Sequence, residues 1–166
     1  MKIFIEEQKF NQPFVLIGLS VAFIVVSITT FQNWEAINQE SLSSKIGSLS
    51  GIIIVLFVAL LFIFLNLTTS IDEIGISYQF YPFQFNYKTI PWNLISKCYV
   101  RKYDAISEYG GWGMKFSFFK KRGRCYTTKG NVGVQLELKN EKKILIGTQL
   151  KEELQKTLEN YQYKIS

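Results

Sequence analysis

The chain has 166 residues, with nineteen Lys and Arg against thirteen Asp and Glu, two cysteines and no histidine. That length allows one ordinary domain. The missing histidines remove the commonest general acid–base group and, with two cysteines, the common zinc sites. Charge is unevenly spread: between Phe10 and Ile71 the charged residues are Glu35, Glu40 and Lys45, whereas all but three of the nineteen bases follow Ile71.

Two apolar runs come first. Residues 13–31 (PFVLIGLSVAFIVVSITTF) carry no charge, close to the ~20 residues with which a helix crosses a ~30 Å hydrocarbon core. Pro13 stands at a first-turn position that a helix tolerates. Residues 51–67 (GIIIVLFVALLFIFLNL) are more apolar still. Neither run has the polar residues at helical spacing that a core helix shows, so both read as membrane spans. The first is too long for a signal-peptide core and no small-residue cleavage site follows it before Trp34, which predicts an uncleaved anchor. By the positive-inside rule both termini are cytoplasmic and the linker is external, with Phe31 and Trp34 as outer-interface anchors. Residues 35–50 also read as an amphipathic helix lying on that outer surface. Intramembrane transport sites usually need ionisable groups. Neither span has one, so the hairpin reads as an anchor, with Gly18 and Ala22 as a small-residue seat for a neighbouring helix. The predicted division is a cytoplasmic N-terminus over 1–12, spans over 13–33 and 49–69, an external linker over 34–48, and a cytoplasmic domain over 70–166.

In that last region the pattern changes to short β-like runs. Residues 74–80 alternate, Tyr81-Pro82-Phe83 breaks the run, residues 85–90 resume it, and Pro91-Trp92 opens another that extends to Tyr103. Runs over 114–119, 131–138 and 143–146 follow, the last two joined by a hairpin turn, Lys139-Asn140-Glu141-Lys142. Val134, Leu136 and Leu138 share one face and Gln135 and Glu137 the other, as in a sheet covered on one side. Cys98 and Cys125 read as reduced strand or core residues. Residues 149–161 place Leu150, Leu154, Leu158 and Tyr161 on one helical face, with Thr148 as N-cap and Glu152 and Glu153 in the first turn.

A two-span hairpin is thus followed by Ile74-Gly75-Ile76, Ile90-Pro91-Trp92, Tyr109-Gly110-Gly111-Trp112-Gly113, Gly130-Asn131-Val132-Gly133-Val134 and Ile144-Leu145-Ile146-Gly147-Thr148-Gln149. Over nearly its whole length the chain resembles the bacterial membrane-anchored pleckstrin-homology-like (PH-like) proteins of unknown function. The resemblance implies a membrane protein of the bacterial inner membrane: a two-helix transmembrane hairpin, then a mostly β PH-like barrel of about six or seven antiparallel strands closed by one C-terminal α-helix. It carries no catalytic and no binding residue.

Two segments are candidate sites. Three glycines around Trp112 permit a tight, positive-φ backbone. Trp112 with Tyr109 then reads either as an aromatic anchor for a peptide, a second subunit or the lipid interface, or as a turn that drops the indole into the barrel core. Lys120, Lys121, Arg122 and Arg124 form the densest charge, with Lys115 and Lys129 nearby. Beside a membrane anchor they could hold anionic headgroups at ~1 kcal/mol each, or they form a solvated positive-inside loop. No phosphate-loop motif is present, and Asp72, Glu73, Asp104 and Glu108 form no pair with a nucleophile. The expectation is a non-enzymatic module without cofactor, metal or nucleic-acid partner. It touches membrane lipids and acts as an adaptor for a protein partner or a homo-oligomer; the alternative is anionic-lipid sensing by the basic loop.

Overall fold

A computed structural model describes residues 4–116 and 123–165. The chain forms two compact units: Asn11–Phe64, and a second built from both flanks, Met1–Phe10 with Leu65–Ser166.

The first unit is helical. Helix α1 (Pro13–Gln32) is followed by the short α2 (Trp34–Gln39) and the long α3 (Leu42–Phe64). Both long helices are long and apolar enough to cross a membrane, about 30 and 35 Å at 1.5 Å per residue. Their outer side chains, Ile17, Ile28, Phe57 and Leu60 among them, are exposed; an apolar surface of that extent marks contact with lipid or protein. Two hydroxyls in α1 are satisfied within the helix, Ser20 Oγ donating to Leu16 O at 2.9 Å and Thr29 Oγ1 to Val25 O at 3.0 Å. The two helices lie side by side, Leu16, Ser20 and Phe23 facing Val55, Ala59 and Ile63. A Cβ added at Gly51 would stand 3.2 Å from Val26 Cγ1, so a glycine lets the helices close there.

The second helix therefore covers 42–64 rather than 49–69. Its start is earlier because the serine-rich segment before Gly51 continues the helix. Its end is earlier because the next residues form a strand. β-Branched Thr68, Thr69 and Ile71 favour extended backbone, and a strand on each side offers a ladder.

The β unit holds two sheets. In the first, β1 (Phe4–Lys9), β2 (Asn66–Ile71), β3 (Gly75–Tyr81) and β4 (Lys88–Pro91) lie in that order, all antiparallel. The N-terminal segment, to which the sequence pattern assigned no element, holds an edge strand with Phe4, Glu6 and Gln8 inward and Ile5, Glu7 and Lys9 outward. Gly75 is required at the start of β3, since a Cβ there would come within 2.1 Å of Ile90 O. The second sheet contains β5 (Ile95–Lys102), β6 (Gly113–Phe116), β7 (Arg124–Thr127), β8 (Val132–Leu138) and β9 (Lys143–Gly147) in the order β5-β8-β9-β7-β6. Its β7–β9 pair is parallel.

The expected single closed barrel of six or seven antiparallel strands is thus not formed. Nine described strands divide into two sheets. Between them Pro91, which has no N–H to give a ladder, leads into a 3₁₀ turn over Trp92–Leu94, and strand pairing restarts at Ile95.

Inward side chains of the two sheets, Phe4, Leu67 and Phe80 from one and Tyr126, Leu136 and Ile146 from the other, make the core. The final helix, α4 of residues 105–109 apart, is α5 (Lys151–Tyr161), which buries Leu154, Thr157, Leu158 and Tyr161; Tyr161 stacks on Trp92 at 5.3 Å. Leu150 lies at the helix boundary and is 41% exposed. Thr148 stands two residues before that boundary, its hydroxyl accepting from Leu150 N at 3.0 Å.

Two polar residues on the inner face of β1 tie the sheets together. Gln8 Nε2 donates to Gly147 O at 2.7 Å, and Gln8 Oε1 accepts from Thr128 Oγ1 at 2.9 Å. Glu6 accepts from Thr148 Oγ1 and from the Gln149 backbone N–H at 2.6 and 2.7 Å. All of these side chains but Gln149 are buried. Removing a donor from a buried carbonyl leaves its desolvation uncompensated. Gln8→Ala should therefore destabilise the β unit by about 1–3 kcal/mol, while Ile5→Ala on the outward face of the same strand should change it by less than about 0.5 kcal/mol. Denaturant melts in detergent, followed by near-ultraviolet circular dichroism, measure the difference.

Candidate functional site

The Trp112 segment is built outward from a short helix. Asp104 caps α4 by accepting from Ile106 N and Ser107 N at 2.9 and 3.0 Å, and Glu108 reaches back to the Asp104 backbone N–H at 2.9 Å. This is the reciprocal logic of a capping box. The backbone N–H of Ser107 holds the Asp104 carboxyl below its usual range.

The helix closes on Gly110, at φ 73°, with Gly110 N donating to Ile106 O and Gly111 N to Ala105 O. The Gly110 N to Ile106 O bond is the 5→1 bond of a left-handed C-cap. Nothing stands within 4 Å of where a Cβ would project from Gly110 or Gly111. What these glycines supply is the left-handed backbone, with φ also positive at Gly111 and Gly113.

The turn delivers Trp112 onto a small buried cluster of Tyr103, Ala105, Tyr109, Cys125 and Leu145. Its indole N–H donates to Gly130 O at 2.8 Å. One face of the ring is packed and the residue stays partly exposed, between the two placements that the sequence left open. Tyr109 is 7% exposed and its hydroxyl accepts from Arg101 Nη2 at 3.2 Å. It belongs to the buried cluster on which Trp112 packs.

Arg101 forks onto Glu108, with Nη2–Oε2 at 2.9 Å and Nη1–Oε1 at 3.2 Å, and its Nε donates to Gln135 Oε1 at 3.0 Å. Burial by itself would lower the guanidinium pKa, and the Glu108 carboxylate outweighs that and raises it. A bidentate pair of this kind fixes orientation as well as charge. Arg101 and Glu108 are functional-site neighbours that sequence reasoning missed, because they are brought together by the step from β5 into α4.

Of the basic cluster, Lys120, Lys121 and Arg122 lie outside the described residues. Arg124 is described, with its guanidinium 5.3 Å from the Phe116 ring centroid. Arg124 pairs with Phe116 and Thr127 with Gly113. Gly113, next to Trp112, and Arg124 thus sit at opposite ends of one two-stranded ribbon, roughly 10 Å apart at ~3.3 Å per residue.

A third group spans the expected break at Tyr81-Pro82-Phe83 and the first half of the strand expected over 85–90, which starts only at Lys88: in this connection from β3 to β4, Phe83, Phe85 and Tyr87 are all more than half exposed. Its signal in the sequence is a charge-free run of alternating aromatics, YPFQFNY.

Among the described residues no group of three or more His, Cys, Asp or Glu side chains comes together to hold a metal ion. Comparison with protein-family models and with curated proteins gives no match.

Both cysteines sit in the second sheet, Cys125 buried and Cys98 half-buried. Burial pushes each thiol up to about 12. The thiolate is the reactive form, and at about pH 8 its fraction falls more than about a thousand-fold below that of an ordinary thiol of pKa ≈ 8.5. Both cysteines should resist maleimide in the folded protein and react within minutes in denaturant, as intact mass measured before and after unfolding will show.

Proposed function

We propose that this chain is a non-catalytic, membrane-anchored PH-like adaptor: the helical hairpin crosses the inner membrane and the β unit binds a protein partner or a second copy at its cytoplasmic face. The observation that carries the anchoring is the pairing of β1 with β2 across the hairpin. Lys9 and Asn66 are register partners, and Phe10 N donates to Leu65 O at 3.0 Å. A chain that leaves and re-enters a rigid sheet at one point crosses a bilayer an even number of times. The excess of Lys and Arg in the β unit supports a cytoplasmic side for it.

The binding surface in this reading is the Trp112 end of β6. That strand is the outermost of its sheet, and an edge strand offers unpaired backbone groups to a partner. Beside it the indole is held by packing and a hydrogen bond, so little rotamer entropy is lost when a partner covers it.

Full-length protein purified in mild detergent tests the assignment by native mass spectrometry. A stoichiometric partner or oligomer is expected. It should be lost with Trp112→Ala, with the fold checked by circular dichroism, and kept when Lys120, Lys121, Arg122 and Arg124 are changed to Ser. A monomer whose co-purifying anionic lipid is stripped by those four changes would instead make the basic loop the functional element.

A further inference from the structure

The β3–β4 connection stands at a particular row of the first sheet. Tyr81 is the register partner of Asn66, and Asn66 of Lys9. The row at which β3 turns is therefore the row at which the chain departs toward α1 and returns from α3. Lys9 is four residues before Pro13, and Asn66 two residues after Phe64. At ~3.5 Å per extended residue, the apolar helices begin within about 14 and 7 Å of chain from this row.

The connection at that row is ordered and presents its rings outward. Gln84 is buried, its Oε1 accepting from Phe80 N at 3.2 Å and its own backbone N–H donating to Phe80 O at 2.9 Å. Gln79 Nε2 donates to Phe85 O at 2.7 Å. These bonds fix the backbone, and Phe83 and Tyr87 are each left 54% exposed and Phe85 76%. No charged residue occurs between Gln79 and Tyr87, whereas Lys9 at the same row and Lys88 at the end of the connection are both exposed.

We propose that this connection is a membrane-surface anchor: Phe83, Phe85 and Tyr87 enter the headgroup region of the bilayer that the hairpin crosses, with Lys9 and Lys88 beside them in the anionic surface. Aromatic rings favour that depth, with apolar bodies among upper acyl carbons and polar edges wet. The contact is a third point of attachment beside the two chain crossings. Two crossings at one place leave the β unit free to tilt, and a third point displaced from them sets which face is turned to the cytoplasm. The proposal rests on the membrane reading above.

Quenching by bromine tests both readings separately. Full-length protein is reconstituted into vesicles of phosphatidylcholine and phosphatidylglycerol, with and without bromine on acyl carbons near the headgroups. Of the parent chain's three tryptophans, Trp34, in the hairpin, reports the anchor through the share of parent emission that Trp34→Phe removes. The emission added by Phe85→Trp is expected to fall by about half in brominated vesicles, while that added by Ile106→Trp, at an exposed site on α4, stays unchanged. If the Trp34 emission is quenched but that added by Phe85→Trp is not, the loop stands clear of lipid and the inference fails with the anchor intact. If neither is quenched and the chain is released by carbonate, the membrane reading fails and takes the inference with it.

Discussion

The β1–β2 ladder is the constraint on which the rest of the molecule depends. Its strands are separated by the whole helical unit, yet they pair residue for residue from Phe4 with Ile71 to Lys9 with Asn66. Closing a long flexible segment between paired strands costs entropy that grows as the logarithm of its length. Here the segment is not flexible, because α1 and α3 lie side by side and bring their own ends together. Helical hairpin and strand pair therefore satisfy the same closure, and each pre-organises the other. The apolar hairpin is thus joined to the β unit by two paired strands rather than by one.

Register in that ladder is set by an uncommon choice of inward residues. A one-residue slip would turn Ile5 and Glu7 inward and send Phe4, Glu6 and Gln8 out. Glu6 and Gln8 are polar groups in a buried layer, costly unless paired. Their partners all come from the ends of β7 and β9: Thr128, Gly147, Thr148 and Gln149. An apolar pair would tolerate several registers, whereas hydrogen bonds of fixed direction accept one. The polar pair thus joins the two sheets and selects the register, and through Thr148 it also positions the chain entering α5.

Around this frame the exposed features differ in how they are held. Trp112 is placed by glycine stereochemistry and by a hydrogen bond to Gly130, over a cluster that includes Tyr109. The Phe83–Tyr87 stretch is placed by two glutamines that bond backbone, with Phe83 stacked on Phe80 and Phe85 edge-on to Tyr81. In both, a polar scaffold orders an apolar side chain that remains accessible, the arrangement expected of a contact surface.

Periodicity and composition determined much of this protein. Two apolar helices, the alternation of β3 and β8, the β8–β9 hairpin and the amphipathic α5 are all local patterns, each expressed within one stretch of residues. The helix–strand boundary at Leu65 was not legible, because an apolar run gives the same signal whether its residues face lipid or a protein core; Leu65 and Leu67 are buried in the β unit while Phe64 is exposed. The strand at Phe4–Lys9 was hidden too, since FIEEQK shows no apolar alternation and its inward Glu6 and Gln8 are explained by partners some 140 positions away in sequence. The division into two sheets, the parallel β7–β9 pair and the joining of Arg101 to Glu108 were likewise decided by tertiary structure. The physical reason is the same in each: side-chain pattern reports which residues want to leave water, and pairing between distant segments decides where they can go.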